Sequence, residues 1–359
     1  MENAYRSGLD LEALVILISE GAEELCIEQV IDEMMANAWY SVCQFHIHLS
    51  GIQSGQVRDG LERAVQQLAK LSGLPANASK MEIKNAIYQN NDRVRAYKVQ
   101  LTHMVPYRAL AGFFDRGEES VRWKDTGWMV SYISRFDREV EPLPYTLGTS
   151  GGLKREVHVN HFWAGMIREH MVPILGWIQN EKVKWLQMNN PEVPGLVYKL
   201  APLDDKMRRL GHVRKLWNGI MSLKTIRDVY TEKPIQMERY AVDHFVPWSF
   251  VMNDELWNLM PADPGLNAAK SNHLPRWEPF FKRFAENQYI LYTMISSDPQ
   301  IHRIFKSCFR DNLHSIWASQ ELYRPGNSKE QFCQILDQNM RPVYDSARRQ
   351  GYGIWKFHV

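Results

Sequence analysis

Five polar residues stand inside otherwise apolar stretches between positions 240 and 275: Asp243, His244, Asn258, Asn267 and Lys270. Together they could hydrolyse a phosphodiester. That reaction needs a water deprotonated in line with the leaving oxygen, and positive charge to stabilise the crowded anionic phosphorus. His244 suits the first task, because an imidazole can take the water's proton near neutral pH. Asp243 and Asn267 offer hard oxygens of the kind that hold Mg2+ or Mn2+, with waters and the scissile phosphate completing the shell. Lys270 could contact a phosphate.

The elements that must position these residues are short. Residues 240–248 read YAVDHFVPW, an alternating, aromatic and β-branched run that ends at a proline, which predicts a strand. Residues 256–260 are a second short apolar piece with Asn258 in the middle, read as the partner strand. Asp263 and Pro264 then open a helix, since an aspartate accepts from the orphan amides and proline suits the first helical position. Asn267 and Lys270 lie three apart on that helix and share a face. Pro275 is the expected stop. Neighbouring side chains on a strand point to opposite faces, so Asp243 and His244 need a local twist or bulge to converge on one ion.

This order of residues resembles the HNH (His-Asn-His) nuclease family, whose site is a two-stranded hairpin packed on a helix around one divalent cation. The family's pattern is an Asp-His or His-His pair on the first strand, an Asn on the second and a His or Asn in the helix. Here these fall on Asp243 with His244, on Asn258 and on Asn267. The version with Asn in the helix, and the run NAAKSNHLP from Asn267 to Pro275, looks most like the HNH domain of RNA-guided CRISPR effector nucleases. The resemblance covers residues 206–283. It implies catalytic roles for His244 and Asn258, with Asn258 holding the loop that orients His244. It also implies Asp243 and Asn267 as metal ligands and Mg2+ (or Mn2+) as cofactor. Each residue alone has a bland reading: Asp-His pairs are common, an Asn in a strand caps a turn, and a helix lysine is solvated. Their order, spacing and strand-strand-helix context together carry the nuclease reading.

Composition adds bounds. With 359 residues, 45% of them hydrophobic, the chain can bury a sizeable core and suggests two or three domains. A net charge of +2 does not by itself announce a nucleic-acid partner. The charge is uneven, however: residues 206–283 hold 13 Lys and Arg against 8 Asp and Glu, leaving 30 against 33 for the remainder. That places the attraction for phosphate beside the motif. The same stretch predicts a basic helix over 204–223, in which Lys206, Arg208, Arg209, Arg214 and Lys215 face away from Leu210, Val213 and Leu216. Arg208, Arg209, Arg214 and Lys215 are the candidate contacts to a DNA backbone, with a plain solvated face as the alternative.

The cysteines, Cys26, Cys43, Cys308 and Cys333, form no Cys-x-x-Cys pair, so no structural zinc is expected. Many HNH proteins staple the finger with two such pairs, and this chain departs from that branch. The thiols fit a reducing compartment. The first residues lack a signal peptide's pattern, and the longest apolar stretch, 14–18, is too short to span a bilayer, so a cytoplasmic protein without membrane partners is expected.

Outside the motif the chain reads as helical. Residues 9–42 are amphipathic helix with a break near Gly21, 54–72 another, and Ser79 with Glu82 forms a capping box that opens a third. Residues 97–107 read as extended, 139–153 as a loop, and 157–186 as a long apolar helix. His46 and His48 alternate with apolar residues, and His158 and His161 are three apart. A metal is the sharper reading of each pair, hydrogen-bonded core histidines the favoured one. Helices are expected again over 277–296, from Asp298 and Pro299 onward, and over 330–350.

The sequence therefore predicts a mainly α (α+β) protein. Its expected parts are a helical N-terminal region, 1–205, of unassigned role; an HNH finger domain, 206–283; and a helical C-terminal region, 284–359, packing on the finger. The expected function is metal-dependent cleavage of nucleic acid, with double-stranded DNA the first-choice polymer and anti-phage defence, restriction or a mobile element as the setting. The alternatives are an RNA nuclease or toxin with the same site, and a non-catalytic nucleic-acid-binding adaptor. The N-terminal region could recruit a partner protein.

Overall fold

The computed structural model describes residues 8–22, 24–50, 52–53, 56–57, 59–114, 121–200 and 208–357. The described residues are 64% helical with only small sheets, so the mainly α, α+β expectation holds. It divides into two compact units, Met1–Pro191 with Lys199–Pro202, and Glu192–Tyr198 with Leu203–Val359. Residues 208–283 and 284–357 thus fall in the same unit. No helix among the described residues is long and apolar enough to cross a membrane.

The first unit is built on the helix Ile27–Phe45, which buries Val30, Ile31, Met35, Trp39 and Val42 along one side. Apolar residues recurring every three or four positions make that stripe. A three-stranded antiparallel sheet joins Glu24–Cys26 to Glu156–Val159 and then to Tyr145–Leu147. The two later strands correct the reading of 139–153 as loop and of 157 onward as helix. Three or four residues are too few to show a period, and tertiary pairing decides their state: Glu156–Val159 joins a partner over a hundred positions away, and Tyr145–Leu147 adds to its other edge. Residues 97–101 belong to the helix Asn91–Leu101 and not to an extended piece. Inside this unit the Lys98 ammonium is buried between Glu28 at 2.9 Å and Asp32 at 2.7 Å. The His48 ring bonds the Glu62 carboxylate through Nδ1 at 2.8 Å. His46 ends the helix in the left-handed region, φ 54°. His158 lies on a strand, 3.5 Å from Glu156, and His161 opens the helix His161–Glu169. The capping box of Ser79 and Glu82 is present.

The second unit wraps helices around one hairpin. Ala241–His244 pairs antiparallel with Leu259–Ala262, in the register Ala241 to Ala262, Val242 to Pro261, Asp243 to Met260 and His244 to Leu259. A two-stranded ribbon is marginal alone in water, so its stability must come from what covers it. The helix Trp277–Ser297 does this: Phe280, Phe284 and Leu291 are fully buried, and the Phe245 ring sits 4.8 Å from that of Phe284. Gln288 Nε2 donates to the carbonyls of Leu256 at 3.2 Å and Leu259 at 2.7 Å, tying the turn before the second strand to the same helix. Helices Gly211–Met221, Pro299–Asn312 and Lys329–Arg349 complete the unit. The C-terminal segment returns as well, since Leu274 exchanges backbone bonds with Gly353 at 2.9 Å and Trp355 at 2.7 Å.

Candidate active site

The hairpin ladder is regular through Asp243 and His244, with no bulge, and the two side chains take different partners. Asp243 is 3% exposed. One of its oxygens accepts from the Tyr230 hydroxyl at 2.8 Å and the other lies 3.0 Å from Lys270 Nζ. Burial and the Asp243 charge push the Tyr230 phenol well above its ordinary range, so it stays an O–H donor. No bulge turns Asp243 and His244 toward one point.

His244, 5% exposed, turns its ring to Asp254, with Nε2 3.0 Å from Oδ1. A carboxylate only accepts, so Nε2 is assigned as the N–H and Nδ1 as the acceptor. Asp254 is in turn held through its other oxygen by the backbone N–H of Arg209 at 2.7 Å.

Asn258 is not on the second strand. It closes the single helical turn Leu256–Asn258 just before the strand begins at Leu259. There its amide clamps one residue at both ends: Val246 N donates to Oδ1 and Nδ2 donates to Val246 O, each at 2.8 Å. With Asn258 wholly buried and Phe245 N donating to its carbonyl at 2.9 Å, the chain leaving His244 is pinned.

The helix after the hairpin runs Pro264–Lys270 and opens as expected, with Asp263 Oδ1 accepting from Gly265 N at 2.8 Å and Leu266 N at 3.1 Å. It stops at Ser271, φ 46°, four residues before Pro275. Asn267 is half-buried on it, and its amide makes no side-chain hydrogen bond among the described residues. Lys270 departs from the expectation of a phosphate contact. Its ammonium is 1% exposed and spans Asp243 Oδ1 and the His244 carbonyl, at 2.9 Å from the latter. A buried lysine needs such partners, because desolvating an unpaired ammonium costs several kcal/mol, as an order of magnitude.

The basic candidates are dispersed. Lys206 lies outside the described residues, and the helix runs Gly211–Met221, so Arg208 and Arg209 precede it. Arg208 rests on the Trp248 ring at 4.7 Å, and Arg209 Nη1 donates to Asp311 at 2.8 Å. Arg214 packs 4.9 Å over Tyr240 and Lys215 is exposed.

Residues 228–276 match the family model described as HNH endonuclease. This region belongs to the HNH endonuclease family. No curated protein and no solved structure matches the chain. The match is to the family as a whole and does not single out RNA-guided effectors. The HNH region begins at Asp228, a residue sequence reasoning passed over. One Asp228 oxygen accepts from Tyr230 N at 3.0 Å and Thr231 N at 2.9 Å, and the other accepts from Asp263 N at 2.9 Å. It thereby ties the turn that carries Tyr230 to the start of the HNH helix. Tyr230 and Asp254 were also missed. The available signal was weak: Asp254 stands between Asn253 and Glu255, and Asp228 and Tyr230 lie in a mixed polar stretch.

The family is generally divalent-metal dependent, and the residues present fit a weakly held hard ion. Asp243 keeps an unused lone pair on each oxygen, since each accepts one bond, and Asn267 brings a second hard oxygen. Among the described residues no group of three or more His, Cys, Asp or Glu forms a metal cluster. Burial pushes the Cys43 and Cys308 thiols up to about 12, which keeps them neutral near pH 7.

Proposed function

We propose that this chain is a metal-dependent HNH endonuclease that hydrolyses phosphodiester bonds in DNA. The observation that carries the reading is His244, placed on the hairpin of a family-matched region with one ring nitrogen bound to Asp254 and the other left to accept a proton. In this reading the imidazole takes a proton from a water, the water's oxygen attacks phosphorus, and the bond from phosphorus to the leaving oxygen breaks, with the leaving oxygen taking up a proton from solvent. Asp243 and Asn267 would hold Mg2+ or Mn2+. When bound, that ion supplies positive charge beside the scissile phosphate.

The chain's own residues set the conditions for this. Lys270 and Tyr230 fix the Asp243 carboxylate in place before any ligand arrives, and Asn258 holds the backbone that follows His244. Lys270 also offsets the charge of Asp243, so a cation would meet a carboxylate already half neutralised and bind weakly. Arg208, Arg209, Arg214 and Lys215 are the proposed contacts to the nucleic-acid backbone. Arg209 and Arg214 divide their guanidinium bonds with Asp311 and Tyr240, which leaves Lys215 as the least engaged of the four. The setting proposed is defence against foreign DNA, restriction or a mobile element.

The test is incubation of the purified chain with supercoiled plasmid, linear duplex and structured RNA, in Mg2+, in Mn2+ and in EDTA. Metal-dependent nicking or linearisation of plasmid is the expected result. Cleavage of RNA with plasmid left intact supports the RNA-nuclease alternative, and binding without cleavage under every condition supports the adaptor.

A further inference from the structure

The bond between His244 and Asp254 has a second layer. Asp254 is 5% exposed at its side chain, and its two oxygens have separate duties: Oδ1 faces His244 Nε2 at 3.0 Å, while Oδ2 accepts the Arg209 backbone N–H at 2.7 Å. The Arg209 backbone is itself fixed by Asn312, the last residue of the helix Pro299–Asn312. Asn312 is wholly buried and its Nδ2 donates both to the Arg209 carbonyl and to the Asp254 carbonyl, at 2.9 Å each. Asp311, beside it, takes the Arg209 guanidinium. Two backbone segments distant in sequence, at Arg209 and at Asp254, are thus stapled together on either side of one carboxylate. Neither Arg209 nor Asn312 lies within residues 228–276.

From this geometry we infer that Asp254 is the positioning residue of His244. It holds the imidazole as the Nε2–H tautomer, so that Nδ1 is the atom that receives the water's proton, and Asn312 with Arg209 keeps the carboxylate aimed. This rests on the nuclease reading for its catalytic consequence, but the tautomer itself is a property of the resting protein. A neutral imidazole in the other tautomer presents an N–H where an acceptor is needed, and loss of the correct tautomer in comparable carboxylate-imidazole pairs costs about four orders of magnitude in rate.

Asp254→Asn discriminates sharply because the Arg209 N–H still requires an acceptor. The amide oxygen of the new side chain goes to Arg209, which turns its NH2 toward His244 Nε2 and forces the ring proton onto Nδ1. Folding is retained, since every backbone group keeps a partner. The experiment combines two readouts on the full chain. In 15N-histidine-labelled protein, with the His244 signals assigned by difference against His244→Gln, the parent is expected to show its proton on Nε2 and Asp254→Asn to show it on Nδ1. In plasmid cleavage, Asp254→Asn is expected to lose about a thousandfold or more in kcat with KM within about threefold, and Asp254→Glu to recover part of the loss.

A parent His244 protonated on Nδ1 overturns the inference, and so does an Asp254→Asn protein that cuts within about threefold of the parental rate. If Asp254→Asn does not fold, the parent spectrum still decides. If the parent cuts nothing while its His244 carries the proton on Nε2, the nuclease reading fails and the positioning geometry stands.

Discussion

Lys270 Nζ lies 3.0 Å from Asp243 Oδ1, and neither side chain is more than 3% exposed. Two opposite charges taken out of water together are tolerable, but one left alone is not. Lys270→Met should therefore destabilise the second unit by about 3–5 kcal/mol, the typical cost of stranding a buried charge. Adding Asp243→Asn in the same chain should recover a substantial part. Urea denaturation of the two variants measures this, and a single variant as stable as the parent would show that water reaches Asp243.

His244→Ala should lower the cleavage rate by roughly two to four orders of magnitude, the usual range for losing one general base. DNA affinity should stay within a few-fold, because the imidazole acts on water and not on the polymer. Single-turnover cleavage and a binding titration separate the two quantities. Parental rates in this variant would assign the base elsewhere.

Asn258→Ala removes both bonds to Val246 and leaves a buried N–H and C=O without partners. At about 1–3 kcal/mol for each unsatisfied group, the loss should be about 2–6 kcal/mol. The melting temperature should fall by more than 5 °C, on the order expected for a unit of this size. Activity measured well below the transition should suffer less than in His244→Ala. An unchanged melting temperature would contradict the clamp.

Chelation should abolish the proposed cleavage without unfolding the protein. The proposed ligands, Asp243 and Asn267, are two oxygens with waters, an open site from which a hard ion exchanges. In EDTA the circular dichroism spectrum should be unchanged and cleavage absent, with recovery on adding Mg2+ or Mn2+. Elemental analysis should find no stoichiometric zinc. One tightly held zinc per chain, or unfolding in EDTA, would redirect attention to the histidines of the first unit.

A pH dependence is expected in the first unit, where Lys199 is wholly buried and that burial pushes its ammonium down to about 7. An unfolded lysine titrates near 10.4, so between roughly pH 7 and 10 the unfolded chain binds the extra proton and the folded chain does not. Stability from this group therefore rises with pH across that window. Relative to the parent, Lys199→Met should gain most stability at or below pH 7, and the gain should shrink as pH approaches 10. A difference that does not vary with pH would mean that Lys199 stays charged in the folded state.

What could be read in the sequence is what depends on near neighbours. The Asp263 cap and the Ser79 box satisfy amides within three residues, and Pro264 has no amide to satisfy, so local composition determines these helix starts. The order of Asp243, His244, Asn258 and Asn267 is likewise linear information, and it pointed to the family that residues 228–276 match. What the tertiary structure decided is where each polar atom finds its partner. Tyr230 reaches Asp243 across 13 positions, Lys270 reaches the His244 carbonyl across 26 and Asn312 reaches Asp254 across 58. A buried polar group takes whatever partner the packing brings, and no spacing rule names it in advance. For that reason a lysine expected at a phosphate became an internal counter-charge, and an aspartate with no motif became the partner of the catalytic candidate.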